Sequence, residues 1–137
     1  MNKLNEQILE RYEYICNEGD NLLEKGENEK AIQKFKEALS ILPEGSWDCD
    51  VYAYAGIGEA YQSLGDYENA LEAFEMCYTE HQVDNPYILI NLGICFYHLD
   101  NIEIAKKFLN MAYLIGKNDI FEGAEEYLKL VDIEKNE

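Results

Sequence analysis

Cysteine and histidine give this sequence its clearest potential for metal chemistry. Cys77 and His81 are four residues apart and Cys95 and His98 are three apart, so each pair would share one face of a helix. Two such pairs make a ligand set that Zn²⁺ accepts. However, Cys77 stands where two other copies of an internal repeat have alanine, which indicates a small buried side chain. We therefore predict structural thiols and no metal site.

A second pattern imitates a calcium-binding loop. Asp48, Asp50 and Glu59 have the spacing of the first, third and last acidic ligands of an EF-hand. The imitation fails because Tyr52 stands at the fifth ligand position and Ala53 at the position that needs glycine. A solvated helix start is the favoured interpretation.

The sequence contains no recognisable catalytic motif. The Gly-x-Gly pair at 56–58 follows no predicted strand, so it favours close helix packing over a phosphate-binding loop. No nucleophile and base occur in a known motif spacing. We predict no catalytic residues, no cofactor and no enzymatic activity.

The four cysteines also bear on the compartment. They lie at positions 16, 49, 77 and 95, with no CxxC pair and no regular framework, so four reduced thiols are expected. No apolar run reaches the length of a signal peptide or a membrane span. We expect a cytoplasmic protein.

Charge is the strongest compositional feature. The 137 residues include 28 Asp and Glu against 11 Lys and Arg, a formal net charge of −17. No Lys or Arg occurs from Glu37 to Ala105, a stretch with 13 carboxylates. Such a field repels phosphate backbones and anionic lipid, so we expect no nucleic-acid or membrane binding and, where a partner exists, a basic one.

A spacing pattern recurs three times along the chain. In each copy a glycine precedes an alanine by twelve residues, and another small residue follows seven later: Gly19, Ala31 and Ala38; Gly58, Ala70 and Cys77; Gly93, Ala105 and Ala112. Large apolar residues recur three after each glycine and four after each alanine: Leu22, Tyr61 and Phe96; Phe35, Phe74 and Leu109. Small residues let two helices cross closely while larger ones fill the space beside the crossing.

This pattern resembles the tetratricopeptide repeat (TPR), a helix–turn–helix unit with the signature W-x2-L-G-x2-Y, A-x3-F and P. The second copy is closest: Tyr54, Ile57, Gly58 and Tyr61, then Ala70 and Phe74. The first copy departs from the signature, with Glu18 in place of leucine. The resemblance covers residues ~12 to ~119.

The resemblance implies an all-α fold, an α-solenoid of three antiparallel helix pairs with a capping helix. We expect one domain over residues 1–137, with repeats at about 12–45, 51–84 and 86–119 and the capping helix at about 119–133. Helices are predicted at 3–25, 28–41, 47–64, 67–81, 86–99, 102–116 and 119–133. Gly26 and Gly65 are expected to end helices with positive φ, and caps are expected at Ser46, Asp66, Asn85 and Asn101.

In TPR proteins the first helix of each pair lines a concave groove. Carried onto this sequence, that face contains Glu13, Cys16, Asn17, Asp20, Glu24, Tyr52, Glu59, Gln62, Tyr87, Ile90, Asn91, Ile94, Tyr97 and His98. The resemblance thus implies a groove that is acidic at one end and aromatic and apolar at the other. Ile90 and Ile94 would form an exposed patch flanked by tyrosines unless a partner or the capping helix covers them.

Three roles fit these features. The leading one is a non-catalytic interaction module that binds a basic or basic-apolar protein or peptide in the groove. One alternative is an acidic immunity protein that neutralises a basic toxin or nuclease. The other is a TPR-type secretion chaperone. The subset of TPR proteins that grips acidic tails is not expected here, because the groove face offers no Lys or Arg.

Overall fold

The computed structural model describes residues 4–45, 47–80 and 84–133, and throughout these residues the secondary structure is helical with connecting turns. The six α-helices are α1 (Glu6–Glu24), α2 (Asn28–Ser40), α3 (Asp50–Ser63), α4 (Tyr67–Glu80), α5 (Pro86–His98) and α6 (Ile102–Gly116). Two 3₁₀ helices follow, at Lys117–Phe121 and Glu125–Leu130. The chain divides into two compact units, Met1–Ala73 and Phe74–Glu137. The expectation of a single domain stays a prediction.

The three turns inside the repeats share one geometry. Beyond each first helix, a backbone amide donates to the carbonyl five residues earlier at 2.9 Å, and the three carbonyls belong to Leu22, Tyr61 and Phe96. The turn residue before each of these amides has positive φ: 77° at Gly26, 77° at Gly65 and 65° at Asp100. The predicted glycine turns are confirmed, and the third repeat places an aspartate in the same left-handed conformation.

Side-chain caps at three of the four predicted positions are also confirmed. Asp66 Oδ1 accepts from the Asn69 amide at 3.2 Å, and Asn85 Oδ1 accepts from the Tyr87 amide at 2.9 Å. Asn101 Oδ1 accepts from the Ile104 amide at 3.4 Å. The predicted cap at Ser46 lies outside the described residues.

Two predicted helix starts are early by three residues. Asn5 caps α1 by accepting from the Gln7 amide at 2.8 Å, so this helix begins at Glu6 instead of residue 3. The predicted start of α3 at residue 47 gives way to a start at Asp50, because Trp47 belongs to the preceding loop. There its Nε1–H donates to the Pro43 carbonyl at 2.8 Å and its ring is half-buried.

The core of the first unit forms around Phe35 of α2, which is fully buried. Its ring lies so close to Gly19 of α1 and Gly56 of α3 that an added Cβ would approach it to 2.8 and 2.5 Å, respectively. Glycine at these two positions therefore lets α2 pack against both first helices. Beside this core, Lys34 pairs with Glu18 at 3.5 Å, so an ion pair between α2 and α1 occupies the position where the signature has leucine.

The core of the second unit joins α5 and α6 to the chain end. A Cβ on Gly93 would lie 2.7 Å from Leu109 Cγ and 3.3 Å from the Ala105 carbonyl oxygen, which confirms the predicted close crossing. Residues 117–133, here called the C-terminal segment, add buried Phe121, Tyr127 and Val131 to this core. The segment covers the core as predicted. The expected single α-helix at 119–133 is wrong. Two 3₁₀ helices take its place, and Gly123, whose φ is 82°, lies between them.

Candidate functional site: a cleft on the first helices of the first unit

A cleft of about 380 Å³ opens between α1 and the start of α3. Its lining residues are Tyr12, Glu13, Cys16, Asn17, Cys49 and Tyr52. Four of them, Glu13, Cys16, Asn17 and Tyr52, are among the predicted groove residues. The structure therefore brings residues from the first helices of two successive repeats together around one opening.

The floor of the cleft is formed by side chains whose polar atoms are already satisfied. Tyr12 is 2% exposed, its hydroxyl donates to the Cys49 carbonyl at 2.5 Å, and it accepts from the Ala53 amide at 3.3 Å. Burial raises the pKa of the Tyr12 phenol and raises the pKa of the neighbouring Cys16 thiol to about 11. Both groups are neutral at physiological pH, so the floor offers apolar contact and no charge.

The wall on the α3 side is an exposed tyrosine fixed by a carboxylate. Tyr52 is 50% exposed, and its hydroxyl donates to Asp20 Oδ2 of α1. This hydrogen bond to a carboxylate is the main reason that the pKa of Tyr52 is raised, with burial second. The hydrogen bond thereby links α3 to α1 and holds a half-exposed aromatic ring at the cleft.

The opposite wall carries negative charge. Glu13 and Asn17 are exposed on α1, one turn apart. Ion pairs among the described residues join the α2 lysines to nearby glutamates at distances between 3.3 and 3.5 Å, and none involves Glu13 or Asp20. Asp20 instead accepts the hydrogen bond from Tyr52, and Glu13 is exposed at the cleft.

The other predicted residues of the first unit continue the same face. Glu24 lies on α1 one turn beyond Asp20 and is exposed. Glu59 is exposed on α3 and Gln62 is half-buried one turn later. These three residues lie outside the lining of the cleft, and the two glutamates extend its acidic surroundings.

The predicted residues of the second unit have a different environment, because the chain itself contacts this face of α5. Ile90 is 4% exposed and belongs to the core with the C-terminal segment, and Ile94 packs against that core. Tyr97 contacts the Tyr127 ring edge-on with centroids 5.6 Å apart. His98 Nε2 lies 2.8 Å from the Tyr127 hydroxyl. The apolar patch expected on this face is thus covered by the C-terminal segment.

The last two predicted residues also contact their own unit. Asn91 is 8% exposed, and its side-chain amide donates to the Tyr87 carbonyl at 2.8 Å. Tyr87 packs edge-on against Phe74 with ring centroids 6.4 Å apart. The predicted groove residues of α5 thus contact other residues of their own unit.

Sequence reasoning missed two residues that shape the cleft, Tyr12 and Cys49. Tyr12 lies one turn before Cys16 on the same side of α1, a spacing that could have revealed it. Cys49 precedes α3 in a loop, and no periodicity identifies a loop residue.

Neither a metal cluster nor a membrane-spanning helix occurs among the described residues. There, no group of three or more His, Cys, Asp or Glu side chains is placed to hold a metal ion. Cys95 is buried and His98 is exposed, while the predicted partner of Cys77, His81, lies outside the described residues. No described helix has the length and apolarity needed to cross a membrane. The cytoplasmic location stays a prediction.

Known proteins resemble this chain in both repeat pattern and fold. Residues 14–79 match the family model of the tetratricopeptide repeat. These residues therefore carry the tetratricopeptide repeat that the spacing pattern predicts. A crystal structure of PcrH in complex with the chaperone binding region of PopB has a similar fold, with a TM-score of 0.67 and 18% sequence identity over 95% of this chain and 94% of that chain. The all-α TPR solenoid fold is therefore confirmed. No curated protein matches the sequence.

Proposed function

We propose that this TPR protein is a non-catalytic interaction module that binds a basic or basic-apolar segment of a partner protein on the α1–α3 face. The TPR repeats and the similarity to a chaperone crystallised with a partner segment support protein binding as the general role. The observation that carries the specific proposal is the cleft, with an apolar floor and acidic surroundings.

The charge of the face favours a basic partner. Glu13, Asp20, Glu24 and Glu59 contribute four carboxylates on the first helices, and the ion pairs of the described residues involve none of the three on α1. A surface of one sign accelerates encounter with the opposite sign and discourages acidic competitors. The buried floor supplies the apolar contact from which affinity is usually drawn.

In this role α1 and α3 contact the peptide, whereas the predicted groove residues of α5 stabilise their own unit. Tyr97 and His98 contact Tyr127 of the same chain, so a ligand would have to displace the C-terminal segment to reach them. The α1–α3 cleft is open without any such rearrangement.

A secretion-type chaperone is a second candidate, favoured by one observation. The similarity to PcrH extends over 95% of this chain, and that protein was crystallised with the chaperone binding region of PopB. In this role the basic segment would belong to a protein that is insoluble without its chaperone. Co-expression then has a specific expected result: the partner stays soluble with the wild-type chain and precipitates with a variant altered at the cleft.

A display selection tests the proposed function before any natural partner is identified. A library of random twelve-residue peptides is selected on the wild-type protein at low salt, and the enriched peptides are then tested against Glu13→Gln/Asp20→Asn. We expect enrichment of Arg and Lys beside apolar residues. We also expect binding by the double variant to be weaker by about fivefold or more, since exposed charge pairs contribute about 0.2–1 kcal/mol each.

The matched control removes two charges elsewhere on the same unit. Glu10 on α1 and Glu29 on α2 are exposed and lie outside the lining of the cleft, so Glu10→Gln/Glu29→Gln has the same net charge as the test variant. Equal losses of peptide affinity in the two double variants would mean that the effect comes from net charge alone. A selection that enriches acidic or purely apolar peptides would contradict the proposal.

A further inference from the structure

We propose that the cleft of the first unit is an arginine-binding subsite, which takes one arginine side chain of the bound segment. This inference rests on the proposed function and makes it more specific, because it names the partner residue that the cleft recognises. It is drawn from the shape and composition of the cleft and from the positions of its charged and aromatic side chains.

The size of the cleft selects for a single side chain. A volume of about 380 Å³ is near the lower end of the range of roughly 300–1,000 Å³ found for small-molecule sites. It accommodates one long side chain with part of the backbone that carries it. One turn of an α-helix, about 10–12 Å across with its side chains and about 5.4 Å long, has a larger volume than the cleft.

The floor suits the methylene groups of a long side chain. Tyr12 and Cys16 are buried, and the Tyr12 hydroxyl both donates and accepts a backbone hydrogen bond. No charged group lies on the floor, so a carboxylate or ammonium placed there would be poorly solvated. An aliphatic stem that lies along the floor loses apolar surface to the protein at no such cost.

The walls suit the guanidinium at the end of that stem. Glu13 is the carboxylate that lines the cleft, and Tyr52 provides an aromatic ring at the opposite wall. The hydroxyl of Tyr52 is held by Asp20, which fixes the ring and adds a second negative charge beside it. A guanidinium can form hydrogen bonds with a carboxylate while it stacks on an aromatic face.

The same features distinguish arginine from its competitors. Lysine shares the charge, but its ammonium is compact and strongly hydrated, so it gains less from the face of Tyr52. Leucine matches the floor and leaves Glu13 without a partner. Citrulline has nearly the shape of arginine without its charge, so it isolates the contribution of that charge, both to the ion pair with Glu13 and to the cation–π contact with Tyr52.

The test is a titration of ¹⁵N-labelled protein with four acetylated, amidated pentapeptides, Ala-Ala-Xaa-Ala-Ala, in which Xaa is arginine, lysine, citrulline or leucine. We expect the arginine peptide to shift the amides of Asn17 and Tyr52 and to bind about five- to tenfold more tightly than the citrulline peptide, from one ion pair and one cation–π contact. The affinity of the lysine peptide should lie between those of the arginine and citrulline peptides.

Two matched variants locate the effect. Glu13→Gln should lower the ratio of arginine to citrulline affinity by about two- to fivefold, because the ion pair is lost while the cation–π contact with Tyr52 remains. Glu10→Gln, one turn earlier on the same helix and outside the lining of the cleft, should leave the ratio unchanged. Both residues are exposed, so neither change should affect folding. The inference is overturned if citrulline or leucine binds as tightly as arginine, if the shifts fall away from the cleft, or if Glu10→Gln has the larger effect.

The outcomes distinguish a failure of the arginine subsite from a failure of the proposed function. If selected basic segments bind the α1–α3 face but tolerate replacement of every arginine by citrulline, the arginine subsite is wrong and the proposed function stands. If the arginine pentapeptide binds at the cleft but no longer segment is captured there, the subsite stands and the proposed function fails.

Discussion

At the scale of single residues, two side chains on the floor of the cleft should make the protein less stable at alkaline pH. Burial holds the pKa of Cys16 at about 11, against about 8.5 for an unfolded cysteine, and raises the pKa of Tyr12. The folded state favours the neutral forms, so their contribution to stability is fully present below pH ~8.5 and is lost as the pH rises towards 11.

We predict that Cys16→Ala flattens this pH dependence. The free energy of unfolding of the wild-type protein, measured with urea, should fall between pH 8.5 and 10.5. The alanine variant should lose less over the same interval, whatever its stability at pH 7. Parallel curves for the two proteins would show that Cys16 does not contribute to the alkaline transition.

A second residue-scale prediction concerns the turn of the third repeat. Asp100 has a φ of 65°, in the left-handed region where the two other repeats have Gly26 and Gly65. Glycine has no Cβ and adopts this conformation without steric cost. Asp100→Gly should raise the free energy of unfolding by up to ~1 kcal/mol. The reciprocal change, Gly65→Asp, should lower it, and a loss of stability in Asp100→Gly would contradict the turn assignment.

At the scale of helices, the packing of α2 depends on glycine in two neighbours. A Cβ added to Gly56 would lie 2.5 Å from Phe35 Cζ, and this ring is fully buried. Alanine in place of glycine usually stabilises a helix. Here Gly56→Ala should destabilise the protein by about 1–3 kcal/mol, because the ring has no space into which to move.

A double-mutant cycle identifies the cause. Phe35→Leu removes the ring that the new methyl group meets, so the combined variant should be more stable than the sum of the two single losses predicts. Urea unfolding of the four proteins gives the coupling energy. Additive losses would mean that Gly56 and Phe35 act independently.

The contact between the C-terminal segment and α5 should contribute to stability through Tyr127. The Tyr127 ring packs edge-on against Tyr97, and its hydroxyl lies 2.8 Å from His98 Nε2. Tyr127→Phe should cost about 1 kcal/mol by loss of the hydrogen bond, and Tyr127→Ala about 3 kcal/mol or more by loss of the ring as well. As a control, Tyr14 is 66% exposed on α1, and Tyr14→Ala should change stability by no more than about 0.5 kcal/mol. Equal losses for Tyr127→Ala and Tyr14→Ala would contradict the cover over α5.

At the scale of the whole molecule, the repeat pattern predicted the elements well because it encodes helix crossings directly. Gly93 could be assigned to a crossing from spacing alone, since close approach demands a small residue. The secondary structure of the C-terminal segment was harder to predict. Its apolar residues have helical spacing, yet Gly123 interrupts the helix, and a hydrophobic period does not register one residue with positive φ.

The site was predicted less completely than the fold. The resemblance implied a groove face on α1, α3 and α5, and Glu13 and Tyr52 of that face line the cleft. It did not show that Tyr127 covers Tyr97, because such a contact joins residues thirty positions apart through tertiary packing. Sequence patterns report faces, whereas the accessibility of a face depends on what packs against it.

The most direct measurement of the central claim is the association rate of a selected basic peptide as a function of salt. Carboxylates that steer a basic ligand are screened over about 8–10 Å near physiological ionic strength, so the wild-type on-rate should fall steeply with added salt. Glu13→Gln/Glu24→Gln should lower the rate and flatten its salt dependence. Glu10→Gln/Glu29→Gln, with the same net charge, should keep most of the wild-type slope. A wild-type on-rate that is insensitive to salt, or equal slopes for the two double variants, would contradict an acidic α1–α3 face as the site of capture.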